Sequence, residues 1–298
     1  MPKELWTIGR LLQWTEQYFL DKGASRLDGE VLLSHILGKD RIYLYTHYDE
    51  PLNKQELDAY RPLVLERAKG YSVAAIIGKK EFMGLPFIVS KDVLIPRPDT
   101  ETLVEDILTV FDKDSAPYIL DVCTGPGTIL YSLLHYLPQA MGLGLDISKE
   151  ALAVAVKNRE QLELTERAKL CYSDLLSALS GDTVYENTFD LIVSNPPYIP
   201  SEEILTLEPE VQHEPVIALD GGVDGLDFYR RLLAEAPKYL KTGGYLAVEI
   251  GYDQAEAVTD IAKSVGVYSE VMAQKDLGGI VRVLRWQKTG DAVSYTHL

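Results

Sequence analysis

The chain has 298 residues, 46 % of them apolar, and a formal net charge of −16. That is too long for one small domain and enough to build a sizeable core, which excludes a disordered or fibrous chain and predicts a globular protein of two domains. The charge is uneven, with 12 Lys/Arg against 11 Asp/Glu in residues 1–80 and 17 against 34 in residues 81–298; so acidic a second part repels a phosphate backbone, because nucleic-acid binding draws its affinity from Lys and Arg contacts.

A protein partner is therefore expected, and no direct nucleic-acid contact. The N-terminus lacks the basic-then-apolar pattern of a secretory signal, and no apolar run approaches the roughly 20 residues that span a bilayer. A cytoplasmic protein with no membrane contact follows. Cys123 and Cys171 have no partner at metal-ligand spacing and read as reduced core thiols. The five histidines, His35, His47, His135, His213 and His297, show no ligand spacing, so no metal is expected.

In chain order, residues 4–20 place Leu5, Ile8, Leu12, Thr15 and Phe19 at helical intervals, and 28–37 repeat this with Val31, Leu32, His35 and Ile36. Asn53 with Glu56 resembles a capping box opening a third helix, which Pro62 is expected to kink or split. Residues 1–72 thus read as a small helical domain. The segment Phe82 to Val89, β-branched and aromatic with Gly and Pro punctuation, predicts a hairpin inside a linker over 73–95. A second, larger domain over 96–289 follows.

From Tyr118 the grammar becomes strand 118–123, helix 127–137, strand 141–146, helix 149–162, strand 168–172 and strand 189–194. Short apolar strands alternating with helices predict a parallel, doubly wound α/β sheet. A helix at 226–240, a strand at 244–250, a helix at 253–265 and two strands near 267–273 and 280–287, an antiparallel edge pair, complete it. Residues 290–298 show no periodicity and read as a tail without a role.

The first strand runs into Cys123-Thr124-Gly125-Pro126-Gly127 and then an apolar helix, so the glycines fall where open α/β sheets bind ligands. Glycine lets a ligand approach the backbone, and the helix start offers unpaired N–H groups and a positive dipole end. The second strand ends in Asp146, 19 residues after Gly127, a carboxylate placed to accept from both hydroxyls of a ribose. The loop lacks the full G-x-G-x-x-G spacing that admits a pyrophosphate, so S-adenosylmethionine is preferred to a nicotinamide dinucleotide. A tight turn with no ligand is the plain alternative for the glycines alone.

The strand Phe189 to Ser194 is followed by Asn195-Pro196-Pro197-Tyr198. Two prolines can neither extend a helix nor pair in a sheet, so the chain leaves the strand as a stiff segment. The side-chain oxygen of Asn195 and the main-chain oxygen of Pro196 then form two acceptors, complementary to the two hydrogens of a planar NH2 group. Such a pair orients a weakly nucleophilic nitrogen towards a sulfonium methyl and stabilises its developing positive charge. Tyr198 is read as stacking on the flat group, against the plainer reading of a core tyrosine with a bonded hydroxyl.

At this point the sequence resembles the protein-(glutamine-N5) methyltransferases of the PrmC/HemK family over nearly its whole length. The resemblance rests on Ile95-Pro96-Arg97-Pro98-Asp99-Thr100-Glu101, on Asn195 to Tyr198, on Glu214-Pro215 with Ala218-Leu219, on Gly222-Val223-Asp224-Gly225-Leu226 and on Glu249-Ile250-Gly251. It implies a seven-stranded, Rossmann-like class I methyltransferase sheet with a small N-terminal helical domain joined by a β-hairpin. It implies a monomeric enzyme that methylates the glutamine of the Gly-Gly-Gln motif in class-1 peptide chain release factors. It further implies that Thr124, Gly125, Pro126 and Gly127, with Cys123 beside them, line the methionine end of S-adenosylmethionine, that Asp146 holds the ribose, that Leu175 lies near the adenine, and that Asn195 touches both cofactor and substrate. Pro196, Pro197 and Tyr198 complete the substrate contacts, and Arg97 to Glu101 either closes over the methionine or forms a salt-bridged hinge.

Three positions depart from the family pattern. Cys123 stands where the family has glycine, Pro126 replaces a small polar residue and removes an N–H, and Leu175 gives up aromatic stacking area. Cys123 and Pro126 motivate one competing reading, a non-catalytic protein that binds the release factor or S-adenosylmethionine. Another is a DNA adenine-N6 methyltransferase, whose substrate also offers a planar NH2; the acidic second part, with no basic groove, argues against it.

Overall fold

The computed structural model describes residues 5–290 and divides into two compact units, one of residues up to Lys79 together with Glu208–His213, the other of Lys80–Leu207 and the chain from Glu214 on. The expected tail lies, from residue 291 onward, outside the described residues.

The first unit is built from helices α1 (Ile8–Phe19), α2 (Arg26–Leu37), α3 (Arg41–Thr46), α4 (Lys54–Ala68) and α5 (Val73–Ile77). Their cores meet through Ile8, Leu12 and Phe19 of α1, Leu32 and Leu33 of α2, Leu44 of α3, and Tyr60 and Val64 of α4. Asn53 and Glu56 do form a reciprocal capping box. Pro62 does not split α4: it lies inside one continuous helix, and both Pro62 and Asp58, whose carbonyl it frees, are on the exposed side where water can bond. Two buried charges are paired. Glu30 accepts from Arg26 at 3.0 Å, Arg41 at 2.9 Å and Tyr45 at 2.6 Å, and Arg67 reaches Asp28 at 3.1 Å, the Gly23 carbonyl at 3.0 Å, and Glu210.

Helix α5 occupies the start of the stretch that the sequence assigns to the hairpin linker. The hairpin itself is β1 (Lys79–Phe82) and β2 (Leu85–Ile88). Its two turn residues, Met83 and Gly84, have φ of 50° and 70°, as a two-residue turn matched to strand twist requires.

The second unit continues with α6 (Pro98–Leu108), β3 (Tyr118–Val122), α7 (Thr128–Tyr136), β4 (Met141–Asp146), α8 (Lys149–Gln161), β5 (Ala168–Tyr172) and β6 (Phe189–Ser194). After α9 (Pro209–Gln212), which belongs to the first unit, come α10 (Asp227–Glu235), β7 (Leu240–Glu249), α11 (Ala255–Val265), β8 (Met272–Lys275) and β9 (Val281–Gln287). The sequence reading left α6 unassigned although its signals are local: Pro98 in the first turn, Asp99 and Glu101 beside it, and a buried stripe of Leu103, Val104 and Ile107. The penultimate strand begins later than expected, at Met272, and all its residues are exposed, so burial periodicity could not locate it.

The strands form one seven-stranded sheet in the order β5-β4-β3-β6-β7-β9-β8. β5 to β7 are parallel, while β9 runs antiparallel to β7 and β8. Alternate residues feed two cores. Leu120, Val122, Ile192 and Val248 pack with Tyr229 and Leu232 of α10 and Val258 of α11, whereas Ile119, Leu191 and Val193 pack with Leu103 of α6, Leu130 of α7 and Ala155 of α8. β3 lies between β4 and β6, where the strand order reverses, so the crevice of an open α/β sheet falls between the loops after β3 and β6. No helix among the described residues is long and apolar enough to cross a membrane.

Candidate active site at the carboxyl ends of the parallel strands

A cavity of about 280 Å³ opens at that crevice. Its floor is the turn after β3, where Cys123, Gly125 and Gly127 all adopt positive φ, of 61°, 55° and 85°. Glycine is required twice for different reasons. A Cβ on Gly127 would lie 2.2 Å from the Tyr131 ring, whereas a Cβ on Gly125 would meet nothing within 4 Å, so Gly125 leaves open the space beside the turn. Cys123 adopts the left-handed conformation without that freedom. Burial and the nearby Asp146 and Asp121 push its thiol well above the usual range, so it is uncharged.

Asp121, fully buried, accepts the Thr124 hydroxyl at 2.6 Å, and burial pushes its carboxyl up to about 7. Asp146 ties two loops together: one oxygen accepts the Gly125 N–H at 2.8 Å and the other the Ser148 N–H at 2.8 Å. Burial raises its pKa, opposed by those N–H groups. Each oxygen keeps a lone pair for a further donor. Asn158, completely buried, accepts the Ile88 N–H at 2.7 Å and donates to the carbonyls of Ile88 and Pro126, both at 2.9 Å, stitching the hairpin to the turn.

Leu175 follows β5 at φ 47°, buried on the cavity wall, its carbonyl accepting the Ser173 hydroxyl at 2.6 Å. Nearby, Asp174 pairs with Arg231 of α10 at 2.9 Å, and both line the cavity with Phe228. The rim includes Asp92 to Leu94, Pro96 and Thr100, together with Pro215, Ile217 and Ala218. Glu214 holds that rim: its carboxylate accepts the Ile95 N–H at 3.2 Å and pairs with Arg97 at 2.7 Å. This contact explains why two motifs more than a hundred residues apart belong together.

The loop after β6 starts from a buried anchor, the Ser194 hydroxyl donating to the Val122 carbonyl at 2.6 Å. Asn195 then points its amide NH2 at the Thr100 hydroxyl oxygen, 3.3 Å away, and among the described residues no donor is bonded to its Oδ1. Asn195 and Pro197 line the same cavity as Gly125 and Asp146.

Comparison with known proteins bears on this arrangement. Residues 10–78 match the family described as PrmC N-terminal domain, and residues 113–289 match that described as Methyltransferase domain. The release factor glutamine methyltransferase of Geobacter sulfurreducens is 45 % identical over 94 % of this chain and 96 % of its own length. The protein of the same name from Caulobacter vibrioides is 44 % identical over 87 % and 88 %, and that from Rhodopirellula baltica 39 % over 95 % and 97 %. The chain belongs to the release factor glutamine methyltransferase family. Among solved structures, a methyltransferase from Pyrococcus furiosus superposes with a TM-score of 0.51 at 19 % identity, covering 77 % of this chain and 98 % of its own. The hMettl16 catalytic domain gives 0.55 at 17 %, covering 78 % and 84 %. At that identity the likeness speaks for the fold alone, and the fold is that of a class I methyltransferase.

Of the residues singled out by sequence, Cys123, Thr124, Gly125, Pro126, Asp146, Leu175, Asn195 and Pro197 come together around one cavity. Gly127, Pro196 and Tyr198 are not on its wall. Gly127 serves the turn and the packing of Tyr131. Pro196 is buried within the loop. Tyr198, expected to stack on a flat group, instead packs against the core, donates its hydroxyl to Glu249 at 3.4 Å, and borders an adjoining depression with Tyr252 and Arg282. Sequence reasoning missed Asp174, beside Leu175 in the loop after β5, and Phe228, Arg231 and Asn158, which lie within α10 and α8. Thr100 lay within the Ile95–Glu101 motif, but its partner was not readable.

Proposed function

We propose that the chain methylates the side-chain amide nitrogen of a glutamine, that of the Gly-Gly-Gln motif of class-1 peptide chain release factors, with S-adenosylmethionine as the methyl donor. One observation carries this reading: the Asn195 NH2 is engaged by Thr100, so its remaining polar atom on the cavity wall is an acceptor. An acceptor suits the N–H of an amide, and the Pro196 carbonyl is the proposed second acceptor, one for each hydrogen of the NH2 group.

The residues present fit the donor. The open space beside Gly125 admits the methionine portion, the uncapped start of α7 favours its carboxylate, and Asp146 offers lone pairs to ribose hydroxyls. Leu175 and Ile147 give an apolar setting for the base. Bound there, S-adenosylmethionine supplies an electrophilic sulfonium methyl. The chain's own part is orientation: Asn195 and Pro196 accept hydrogen bonds from the two amide hydrogens, which raises electron density on nitrogen and holds it in line, an effect that can reach about 7–11 kcal/mol.

The first unit is proposed to hold the release factor, and the enzyme to act as a cytoplasmic monomer without direct contact to nucleic acid. The surplus of acidic residues after residue 80 supports the last point. A methyl-transfer assay with labelled S-adenosylmethionine, a release factor, its Gln→Ala variant and duplex DNA tests the proposal. Label is expected in the release factor and not in the variant or the DNA. Label in DNA alone overturns the substrate assignment, and cofactor binding without label anywhere favours a non-catalytic protein.

A further inference from the structure

Beyond Thr100 lies a carboxyl group that the reaction as described does not use. Glu249 ends β7, is 2 % exposed, and accepts the Tyr198 hydroxyl at 3.4 Å. The Thr100 hydroxyl neighbours the same carboxyl group and favours its charged form, while Glu249 Oε2 is buried without a formed hydrogen bond. Thr100 itself is almost fully buried and accepts from Asn195.

A hydroxyl has one proton to give, and a carboxylate can only accept. We infer that Glu249 is a positioning residue: by accepting the hydrogen bond that the Thr100 hydroxyl can donate, it leaves Thr100 Oγ1 able only to accept from Asn195 Nδ2, which fixes the Asn195 amide with Oδ1 towards the cavity. The donors then run one way, from Asn195 to Thr100 to Glu249, with Tyr198 joining at the same carboxylate. Without that sink the Thr100 hydroxyl can donate to Asn195 Oδ1, and the turned amide presents hydrogens where the substrate NH2 needs an oxygen. The inference rests on the proposed methyl transfer at Asn195.

The charge state of Glu249 gives the device a pH dependence. Burial pushes its carboxyl up to about 7, against the Thr100 and Tyr198 hydroxyls and Arg282 of β9, with Asp99 of α6 adding to the rise. Arg282 is itself held by Asp276 at 2.9 Å and Asp99 at 3.3 Å, and the Tyr229 hydroxyl of α10 bonds the Glu249 carbonyl at 2.8 Å. Below about 7 the protonated carboxyl no longer enforces the direction of the chain, so turnover falls on the acid side.

The experiment compares the wild type with Thr100→Val, Thr100→Ser and Glu249→Gln at saturating S-adenosylmethionine. Thr100→Val and Glu249→Gln should lower kcat by about tenfold or more with little change in cofactor KM, and Thr100→Ser should recover most of the Thr100→Val loss. Glu249→Gln should also abolish the acid limb near pH 7. A second readout needs no turnover: the Asn195 side-chain NH2 signal in a nitrogen–proton correlation spectrum should titrate near pH 7 in the wild type and not in Glu249→Gln. A signal that is indifferent to pH in the wild type, or folded Thr100→Val with unchanged kcat, overturns the positioning role. Absence of wild-type methylation together with a titrating NH2 signal instead sinks the substrate reading and leaves the positioning role standing.

Discussion

The loops after β3 and β6 flank the same cavity but are held in opposite ways. The turn after β3 takes its shape from three positive φ values and is tied by two side chains, Asp146 accepting the Gly125 N–H and Asn158 donating to the Pro126 carbonyl. The loop after β6 has no residue at positive φ from Asn195 to Pro200 and is fixed by proline stiffness and by side chains reaching in from far along the chain. Thr100 holds Asn195, Gln254 donates to the Tyr198 carbonyl at 2.9 Å, and Glu249 receives the Tyr198 hydroxyl. A surface that receives a ligand backbone-first is set by its dihedrals, whereas a side-chain oxygen that must meet a hydrogen from one direction needs neighbours to aim it.

Four substitutions break or sharpen this contrast. Asn195→Ala removes the oriented acceptor and should lower kcat about a hundredfold or more in a protein of unchanged thermal midpoint, as loss of one preorganised polar contact does elsewhere. Near-normal turnover would remove the β6 loop from the chemistry. Asp146→Ala frees the Gly125 and Ser148 N–H groups and should weaken S-adenosylmethionine binding about tenfold or more, measured by titration calorimetry, with a smaller effect on kcat. A pure kcat effect there would erase the division between the loops.

Gln254→Ala acts on the β6 loop without touching the cavity. Its side chain bonds the Tyr198 carbonyl, the Gly225 carbonyl at 3.2 Å and the Gly251 N–H at 2.9 Å, and its loss leaves three backbone groups unpaired. A destabilisation of about 1–3 kcal/mol in denaturant unfolding is expected. Cys123→Gly carries the smallest effect. It relieves a left-handed residue and should stabilise the fold by up to ~1 kcal/mol, since the gain is partly offset by glycine's greater chain entropy. A loss of stability would mean that the thiol's packing outweighs the strain.

Much of the fold is legible in the sequence because its signals are short-range. Alternating apolar strands and helices from Tyr118 onward give the doubly wound sheet, and the β-branched and aromatic residues of Phe82 to Val89, punctuated by Gly and Pro, give the hairpin. The misses have local and non-local causes. α6 carries its signals openly, but its first residues read as a segment closing over the methionine or a salt-bridged hinge, whereas β8 is exposed throughout and has no burial pattern to find. Pro62 was read by its usual effect, yet on an exposed helix face the freed carbonyl has water to bond, and the helix continues.

By itself the sequence determined where the chain must turn and what polar atoms it must display: glycines where side chains cannot go, two prolines where neither helix nor strand can follow, an aspartate at the end of the second strand of the sheet. These are restrictions on neighbouring dihedrals, so they are written in neighbouring residues. Only the tertiary structure decided that Thr100 meets Asn195 across 95 positions, that Glu214 holds the Arg97 segment, and that the Tyr198 ring turns to Glu249 and not into the cavity. Such contacts depend on the sheet bringing distant strand ends together, and no local periodicity records which of many polar side chains will face one another there.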